Sequence, residues 1–376
     1  MSNYKNIIEK SKTEGTYRTL NIVKGLDFSS NDYLGLSKSS FLKYKLIDFI
    51  KRGQNSWPSS SRLISGTTSV HLETERIMAS FLGSECSLIF SSGYCANVGV
   101  VSTLCENSII FSDELNHASL IDGIKLSRSS YHIYPHDNLA SLEVLLQKYV
   151  KSKLPKFIIT EALFSMNGTL IDLSKVLDLC EKYNTFLIID EAHSTGVFGH
   201  SGQGLLGDFI FDKSKVVSIH TCGKALGAYG AFIGCSELVK DYLVNKCRHF
   251  IYTTALPPLN VFIIKETLAY IRENKYLRDK LMLNIFYARK KLDFRKDNHN
   301  TQIIPLILRG NKRVSKVSEE LMAAGINVKA IRSPTVPRGL ERLRISIHAD
   351  HEFQDIDDLA VTLKEAITFV DHGGSR

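Results

Sequence analysis

Several side chains that can do acid, base or nucleophilic chemistry come directly after short apolar runs of the sequence. They are His117, Glu161, Asp190, His193 and Lys224. Taken singly, a histidine of this kind is usually a buried structural residue, an aspartate can cap a helix, and a lysine can be solvated. The carboxyl ends of parallel strands, however, meet at one edge of a sheet, where ligands bind. Because so many of these run ends carry a polar side chain, we predict one shared ligand site.

The residue types at these positions argue against two kinds of site. Asp190 and His193, with Glu161 nearby, could ligate a metal, but no third strong ligand follows at a recognisable spacing. Lys224 would also place a competing cation there. The sequence around this lysine lacks the glycine and Ser/Thr positions of a P-loop. Neither a metal nor a P-loop nucleotide site is therefore predicted.

Pyridoxal phosphate fits the same positions better. This cofactor needs a lysine for a Schiff base, an acid against its pyridine nitrogen, a phosphate cradle and a flat group against its ring. The candidates for these tasks are, in that order, Lys224, Asp190, Gly93 with Tyr94, and His117. Gly93 stands where an apolar run turns into a helical one, so backbone N–H groups at the helix start can approach a phosphate. The sequence thus predicts pyridoxal 5'-phosphate as the cofactor.

The elements that must position these residues alternate between strands and helices. Apolar strands are predicted at 87–90, 108–111, 156–160, 185–190, 216–220 and 228–234, and helices at 70–82, 117–127 and 173–183. Strands of this kind with helices between them indicate the α/β class, with a mostly parallel sheet covered on both faces.

From about residue 236 the pattern changes and predicts a smaller C-terminal α/β domain. It consists of long helices to about 293, strands at 303–308, 326–331 and 342–347, and helices at 313–323 and 353–370. Pro257 and Pro258 interrupt any helix and mark a boundary. We therefore predict an N-terminal arm (1–45), a large cofactor-binding domain (46–256) and a small C-terminal domain (257–376).

The composition of the 376 residues is that of a globular protein, with 44% hydrophobic and 23% charged residues. No run reaches the roughly 18–20 apolar residues of a membrane span, and residues 1–15 lack the apolar stretch of a secretory signal. The net charge of +8 has no accompanying aromatic–basic stripe, so no nucleic-acid partner is predicted. Seven cysteines without a Cys-x-x-Cys pair favour free thiols and a cytoplasmic location.

Nine segments, in order along residues 26–370, resemble the α-oxoamine synthases. These are pyridoxal-phosphate enzymes of the aspartate-aminotransferase-like fold (fold type I). The segments are Phe28–Leu36, Ser61–Gly66, Phe90–Tyr94, Asn116–Leu120, Thr160–Gly168, Asp190–Gly199, Thr221–Ala225, Tyr252–Pro258 and Arg342–Ser346. The resemblance implies that fold, with a mostly parallel sheet in a large domain and a smaller C-terminal domain.

The resemblance also implies an activity, the joining of an amino acid to an acyl thioester with loss of CO2. Ala330–Pro337 ahead of Arg342–Arg344 is most similar to members that use L-alanine and a pimeloyl thioester, on CoA or a carrier protein, in biotin biosynthesis. Members that use glycine with an acetyl thioester, or that form 5-aminolevulinate, remain the alternative. An aminotransferase of the same fold matches the arginine segment less well. A non-catalytic partner subunit would lack Lys224.

Individual roles follow from the same resemblance. As catalytic residues, Lys224 forms the Schiff base and moves the α-proton, Asp190 pairs with the pyridine nitrogen, and His117 stacks on the ring. The other cofactor contacts are His193 on the ring hydroxyl, Gly93, Tyr94 and Thr221 on the phosphate, Ser165, and Thr254 on the phosphate of the neighbouring subunit. The substrate contacts are Asn31, Ser165, Arg344 and Thr335, of which the first three bind the amino-acid carboxylate. Thr254 implies a homodimer with shared active sites.

Two features depart from the family pattern. Ser56–Ser60, which contains the single tryptophan of the chain, Trp57, stands where the family usually has a glycine-rich stretch. The N-terminal arm is also short, and Arg18 is the candidate for the arginine that meets the acyl substrate.

Overall fold

A computed structural model of the chain describes residues 2–20, 22, 24–53, 56–293 and 299–374. Its strands are β1 (Leu26–Asp27), β2 (Cys86–Phe90), β3 (Ile109–Asp113), β4 (Ser130–Tyr134), β5 (Lys156–Glu161), β6 (Phe186–Asp190), β7 (Val216–Thr221), β8 (Ala231–Cys235), β9 (Ile303–Ile307), β10 (Ile326–Asn327), β11 (Lys329–Ile331) and β12 (Arg342–Ser346).

The α-helices are α1 (Ser2–Thr13), α2 (Ser40–Lys51), α3 (Ser69–Leu82), α4 (Gly93–Leu104), α5 (Ala118–Ser127), α6 (Leu139–Lys148), α7 (Leu173–Lys182), α8 (Glu237–Lys246), α9 (Arg248–Ile251), α10 (Pro258–Glu273), α11 (Tyr276–Lys291), α12 (Asn311–Ala323) and α13 (Phe353–Asp371). Among the described residues, no helix is long and apolar enough to cross a membrane.

The chain forms two compact units. The large unit is Leu34–Phe164 with Thr169–Arg278, and the small unit is Met1–Tyr33, Ser165–Gly168 and Asp279–Arg376. The sequence predicted three parts, namely residues 1–45, 46–256 and 257–376, and these boundaries differ from those of the two units. The N-terminal stretch falls in the small unit because β1 pairs in parallel with β10, a partner about 300 residues away.

A seven-stranded sheet forms the centre of the large unit, in the order β2-β8-β7-β6-β5-β3-β4. All neighbours in it are parallel except β8, which runs antiparallel to β2 and β7. The predicted fold, a mostly parallel α/β sheet, is confirmed. The carboxyl ends of its parallel strands lie at one edge, where the predicted site residues follow them.

Residues in the middle of this sheet are buried on both faces. Leu187 and Ile189 of β6 pack into one apolar cluster, whereas Ile188 between them packs into the cluster on the opposite face. This follows from the alternation of side chains along a strand. The sequence of β6 is therefore a continuous apolar run, and it was predicted. The edge strand β4 was not, because its side chains Tyr131 and Ile133 are exposed and the run is short and polar.

Helices of the large unit begin where the sequence supplies a side-chain cap. Ser39, Ser92, Asn138, Asp172 and Ser236 each accept a hydrogen bond from a backbone N–H in the first turn of the helix that follows. Such caps satisfy donors that have no partner inside the helix. They fix the residue at which each of these helices begins.

The small unit contains an antiparallel sheet in the order β11-β12-β9 and the short pair β1-β10. Helices α12 and α13 pack against each other, and their apolar faces are buried. The central strand β12 is buried along its length. It carries Arg342 and Arg344, whose positions therefore depend on the interior of this unit.

Candidate active site

A cavity of about 160 Å³ lies at the carboxyl ends of the parallel strands in the large unit. Its lining consists of Gly93, Tyr94, Asn97, His117, Ser119, Glu161, Asp190, Ala192, His193, Ile219, Thr221 and Lys224. The fold thus brings together seven residues predicted from the sequence to form one cofactor site. It also adds Asn97, Ser119 and Glu161, which the sequence analysis did not assign to the cofactor.

One wall of the cavity is the start of helix α4. A Cβ atom on Gly93 would lie 3.2 Å from Cβ and Oγ1 of Thr221, the last residue of β7. A side chain at this position would therefore crowd Thr221, whereas glycine leaves room for a ligand to approach the backbone. The Tyr94 ring extends outward, and its hydroxyl donates a hydrogen bond to the carboxylate of Asp122. The backbone N–H groups of a helix start favour an anion such as a phosphate.

Two buried carboxyl groups stand side by side at the floor of the cavity. Glu161 ends β5 and is the register partner of Asp190, which ends β6. The Asp190 carboxylate accepts hydrogen bonds from the backbone N–H of Ala192 (2.8 Å) and from Nδ2 of Asn97 (2.6 Å). Burial and the charge of Asp190 raise the pKa of Glu161 well above its usual value. Glu161 is consequently the member of the pair that favours its protonated form.

His117 caps helix α5 and presents its imidazole to the cavity. Its backbone N–H donates to Oε1 of Glu161 (2.6 Å), which ties the histidine to the end of β5. The Tyr94 ring meets the imidazole edge-on, with 6.4 Å between ring centroids. Burial lowers the pKa of His117; the Asp190 charge opposes this effect and the Lys224 charge adds to it. A neutral imidazole is the expected form near pH 7.

His193 and Lys224 complete the lining. His193 is buried in the loop after β6, and Lys224 lies in the turn after β7, where its carbonyl accepts from the N–H of Gly227 (2.9 Å). Pyridoxal phosphate needs a lysine, an acid, a flat ring and an open site for its phosphate. Lys224, Asp190, His117 and the helix start at Gly93 supply these features. The residues present fit that group. No group of three His, Cys, Asp or Glu side chains among the described residues could hold a metal ion.

Thr254 is not part of this lining. It is exposed and forms an isolated antiparallel bridge with Ser61. Ser165, also predicted as a cofactor contact, belongs to the small unit. The predicted roles of Thr254 and Ser165 toward the cofactor stay predictions.

Within the small unit, the guanidinium of Arg344 gathers the predicted carboxylate-binding residues. Nε donates to the carbonyl of Ser165 (2.6 Å), and Nη2 donates to Oδ1 of Asn31 (2.9 Å) and to the hydroxyl of Tyr33 (3.1 Å). Nη1 donates to Oγ of Ser346 (2.9 Å). Arg344 is buried, and its partners in the described part of the chain are all neutral. A buried cation without a carboxylate partner favours binding of an anion.

Thr335 lies elsewhere in the small unit. It is exposed, and its Oγ1 accepts a hydrogen bond from Nη2 of Arg18 (3.0 Å). Both residues line a cavity of about 550 Å³ in this unit. Trp57, in the segment that departs from the family pattern, belongs to the large unit and is 73% exposed.

Comparison with known proteins agrees with this geometry. The model of the aminotransferase class I and II family matches residues 23–363. A protein of Citrifermentans bemidjiense named 8-amino-7-oxononanoate synthase is 39% identical, covering 97% of this chain and 98% of its own. One of Aquifex aeolicus, named putative 8-amino-7-oxononanoate synthase, is 37% identical, covering 96% of this chain and 97% of its own.

Solved structures show the same fold. The 8-amino-7-oxononanoate synthase of Francisella tularensis superposes with a TM-score of 0.78 at 29% identity, covering 92% of this chain and 99% of that one. A serine palmitoyltransferase of S. paucimobilis superposes with a TM-score of 0.89 at 22% identity, covering 98% of each chain. The resemblance inferred from nine short segments is confirmed over nearly the whole sequence, and the chain belongs to the aminotransferase class I and II family.

Proposed function

We propose that this protein is a pyridoxal-phosphate-dependent acyltransferase. It condenses L-alanine with pimeloyl-CoA, or with a pimeloyl carrier protein, to give 8-amino-7-oxononanoate, CO2 and CoA or the free carrier, in biotin biosynthesis. The observation that carries this proposal is the cavity in which Lys224, Asp190, His117 and His193 meet at the strand ends. The 37–39% identity with relatives named 8-amino-7-oxononanoate synthase supports the choice of substrates.

The cavity residues would hold the cofactor by complementary chemistry. Lys224 would hold its aldehyde carbon, Asp190 its ring nitrogen, and His117 its ring face. His193 would meet the ring hydroxyl, and the helix start at Gly93 and Tyr94, with Thr221, would hold the phosphate. When bound, pyridoxal phosphate supplies an electron sink for negative charge on the α-carbon of the amino acid.

The chain's own groups would then move the protons. Nζ of Lys224, when neutral, takes the α-proton of alanine, and the α-carbon attacks the thioester carbonyl so that the thiol leaves. Loss of CO2 from the resulting β-keto acid leaves negative charge on the same carbon, to which Lys224 returns a proton. A general base is most effective when its pKa lies near the working pH. The apolar strand before Asp190 keeps water away from its charge and so preserves its attraction for a protonated ring nitrogen.

We also propose that Arg344 binds the carboxylate of the amino acid, together with Asn31 and Ser165. The guanidinium is planar and offers two parallel N–H donors, which matches a carboxylate, whereas a lysine would act as a single point charge. The buried position of Arg344 and its neutral partners in the small unit support this role.

A homodimer in the cytoplasm is part of the proposal. Tyr252 and Ile64 are 73% and 80% exposed, and they lie near the bridge between Ser61 and Thr254. Large apolar side chains exposed together favour burial against another protein surface. Sedimentation of the wild type and of Ile64→Glu tests this: we expect a dimer that the variant weakens, and a wild-type monomer would contradict it. All seven cysteines are free thiols, as a reducing compartment favours.

The decisive experiment is a matrix of substrates. Alanine, glycine and serine are each combined with acetyl-, succinyl-, pimeloyl- and palmitoyl-CoA, and release of CoA and CO2 is measured together with the mass of the product. The proposal expects the highest kcat/KM for alanine with pimeloyl-CoA, or with a pimeloyl carrier protein in a parallel series. Preference for another pair would reassign the substrate, and absence of CoA and CO2 release with every pair would reject the reaction class.

A further inference from the structure

A continuous hydrogen-bonded chain connects Asp190 and His117 of the cavity through two residues, Asn97 and Ser119. Nδ2 of Asn97 donates to Oδ2 of Asp190 (2.6 Å) and to Oγ of Ser119 (2.9 Å). Oγ of Ser119 lies 2.7 Å from Nδ1 of His117. Asn97 and Ser119 are buried, whereas His117, at the end of the chain of hydrogen bonds, is exposed.

The chemistry of the two ends determines the direction of every bond in this chain. An ionised carboxylate only accepts, so the Asn97 amide must turn its NH2 group toward Asp190. The second N–H of that amide then occupies a lone pair of the Ser119 oxygen. The Ser119 hydroxyl keeps its single hydrogen for Nδ1 of His117, and the Ser119 backbone N–H also points to this nitrogen (3.3 Å). Nδ1 is therefore an acceptor and carries no proton.

The unused oxygen of Asn97 supports this orientation. Among the described residues, Oδ1 of Asn97 has no hydrogen-bond partner, although the atom is buried. An amide held only for packing would turn to satisfy its oxygen, because a buried acceptor without a partner is unfavourable. The carboxylate and the hydroxyl instead use both N–H groups of the amide. Asn97 thus donates both of its amide N–H groups, while its Oδ1 has no hydrogen-bond partner among the described residues.

We propose that Asn97 and Ser119 are positioning residues that hold His117 neutral, with its proton on Nε2, and leave the charge of the histidine–aspartate pair on Asp190 alone. The role toward the pyridoxal ring rests on the proposed function. A protonated His117 would form an ion pair with Asp190 and weaken the attraction of this carboxylate for the ring nitrogen. The hydrogen-bonded chain opposes protonation of His117, because the lone pair of Nδ1 already accepts from the hydroxyl and the backbone N–H of Ser119.

The other groups that act on His117 are consistent with this assignment. The charges of Asp190 and Asp122 favour protonation of the imidazole, and the charge of Lys224 opposes it. Glu161 accepts a hydrogen bond from the backbone N–H of His117, and not from its ring, among the hydrogen bonds of the described residues. The two carboxylates favour protonation of the imidazole. The hydrogen bonds from Ser119 to Nδ1 oppose this protonation.

The test measures the imidazole directly. The full chain is labelled with 15N-histidine, and the His117 signals are assigned by comparison with His117→Gln. Spectra are recorded from about pH 5.5 to about pH 9, with and without added pyridoxal phosphate. In the wild type we expect a neutral form protonated at Nε2 near pH 7, and a titration that lies below that of an ordinary histidine. In Ser119→Ala we expect partial protonation at Nδ1 and an upward shift of the titration, which Ser119→Thr reverses because the hydroxyl is restored.

Two further variants complete the design. Asn97→Leu removes both donors at similar volume and should weaken pyridoxal phosphate binding about 10- to 100-fold, since a bond to a charged group is lost. Ser127→Ala is the matched control, because Ser127 is a buried, hydrogen-bonded serine of the same helix outside the chain; it should leave the His117 spectrum unchanged. If Asn97→Leu fails to fold, Ser119→Ala alone decides.

An unchanged His117 tautomer and titration in Ser119→Ala would overturn the proposal. The same applies if the wild-type imidazole is protonated at Nδ1 near pH 7. These spectra do not require turnover, so they are independent of the proposed reaction. Spectra as expected in a protein that releases no CoA would leave the positioning role intact and reject the proposed function instead.

Discussion

Arg344 donates from Nη2 to Oδ1 of Asn31 over 2.9 Å, although 313 positions separate the two residues. The hydroxyl of Tyr33 donates to the same Oδ1 (2.9 Å) and accepts from Nη2 of Arg344 (3.1 Å). Two polar groups of one segment, Asn31 and Tyr33, thus hold a guanidinium from a distant strand within the small unit. A cation held in this way loses little conformational entropy when it binds a ligand.

The first prediction concerns this guanidinium. Arg344→Lys should lower kcat/KM for alanine about 10- to 100-fold, mainly through KM, because one two-pronged bond to a charged group is lost. Steady-state kinetics at saturating acyl thioester measure the effect. The control is Arg342→Lys on the same strand, whose guanidinium binds Oδ1 of Asn167 and the carbonyl of Met166. Arg342→Lys should lower the melting temperature and leave KM for alanine nearly unchanged. Equal KM values in all three proteins would rule out the carboxylate role.

The second prediction concerns the nucleophile. Lys224→Ala should abolish covalent attachment of pyridoxal phosphate after borohydride reduction, and turnover should fall by at least about 10³-fold, because the base is also lost. Peptide mass spectrometry locates the reduced adduct. Lys215→Ala, a lysine just before β7, is the control and should keep the adduct on the peptide that contains Lys224. An adduct of undiminished yield in Lys224→Ala would assign the nucleophile to another residue.

The third prediction concerns the acid at the end of β6. Asp190→Asn should keep the fold, since the amide has nearly the same shape, but should lower turnover about 100-fold or more by removing the charge opposite a ring nitrogen. The control is Asp113→Asn at the end of β3, a buried acid that binds His136 instead (3.1 Å). Its effect should appear in thermal stability with the cofactor spectrum unchanged. Turnover within a few-fold of the wild type in Asp190→Asn would contradict the assignment.

The fourth prediction concerns pH and the stability of the small unit. His351 accepts the N–H of His348 at Nδ1 (3.1 Å), and its Nε2 lies 2.9 Å from the carbonyl of Asp27, to which it donates. The bond at Nδ1 requires the neutral ring, because a protonated Nδ1 cannot accept, and burial lowers the pKa of His351 to about 4. The unfolded chain binds a proton at about pH 6.5. Stability is therefore complete above about pH 6.5 and is lost as the pH falls toward about 4.

Urea unfolding checks the sign and the size of this effect. Between about pH 7 and about pH 5 the wild type should lose about 2 kcal/mol of unfolding free energy that His351→Gln does not lose. The exposed His372 is the control position, and His372→Gln should follow the wild-type curve. Parallel curves for the wild type and His351→Gln would show that His351 does not titrate differently in the folded and unfolded states.

The ends of the strands were predictable because their sequence signal is local. A strand buried on both faces, such as β6, is a short continuous apolar run, and the polar residue that closes it is Asp190. Lys224 and His117 follow their strands in the same way. Their convergence needs only the rule that parallel strands end at one edge of the sheet. The class of fold and the cofactor could therefore be predicted from the sequence, whereas the family was identified from the resemblance of nine segments.

What the sequence could not reveal depends on contacts between distant segments. Asn97 lies in the apolar helix α4 and has no local feature that sets it apart. Its role follows only because the fold places its amide between Ser119 and Asp190, 22 and 93 positions away. The hydrogen bond between Arg344 and Asn31 and the pairing of β1 with β10 also join segments that are distant in the sequence. Hydrogen bonds are short and directional, so tertiary packing alone determines which of these groups meet.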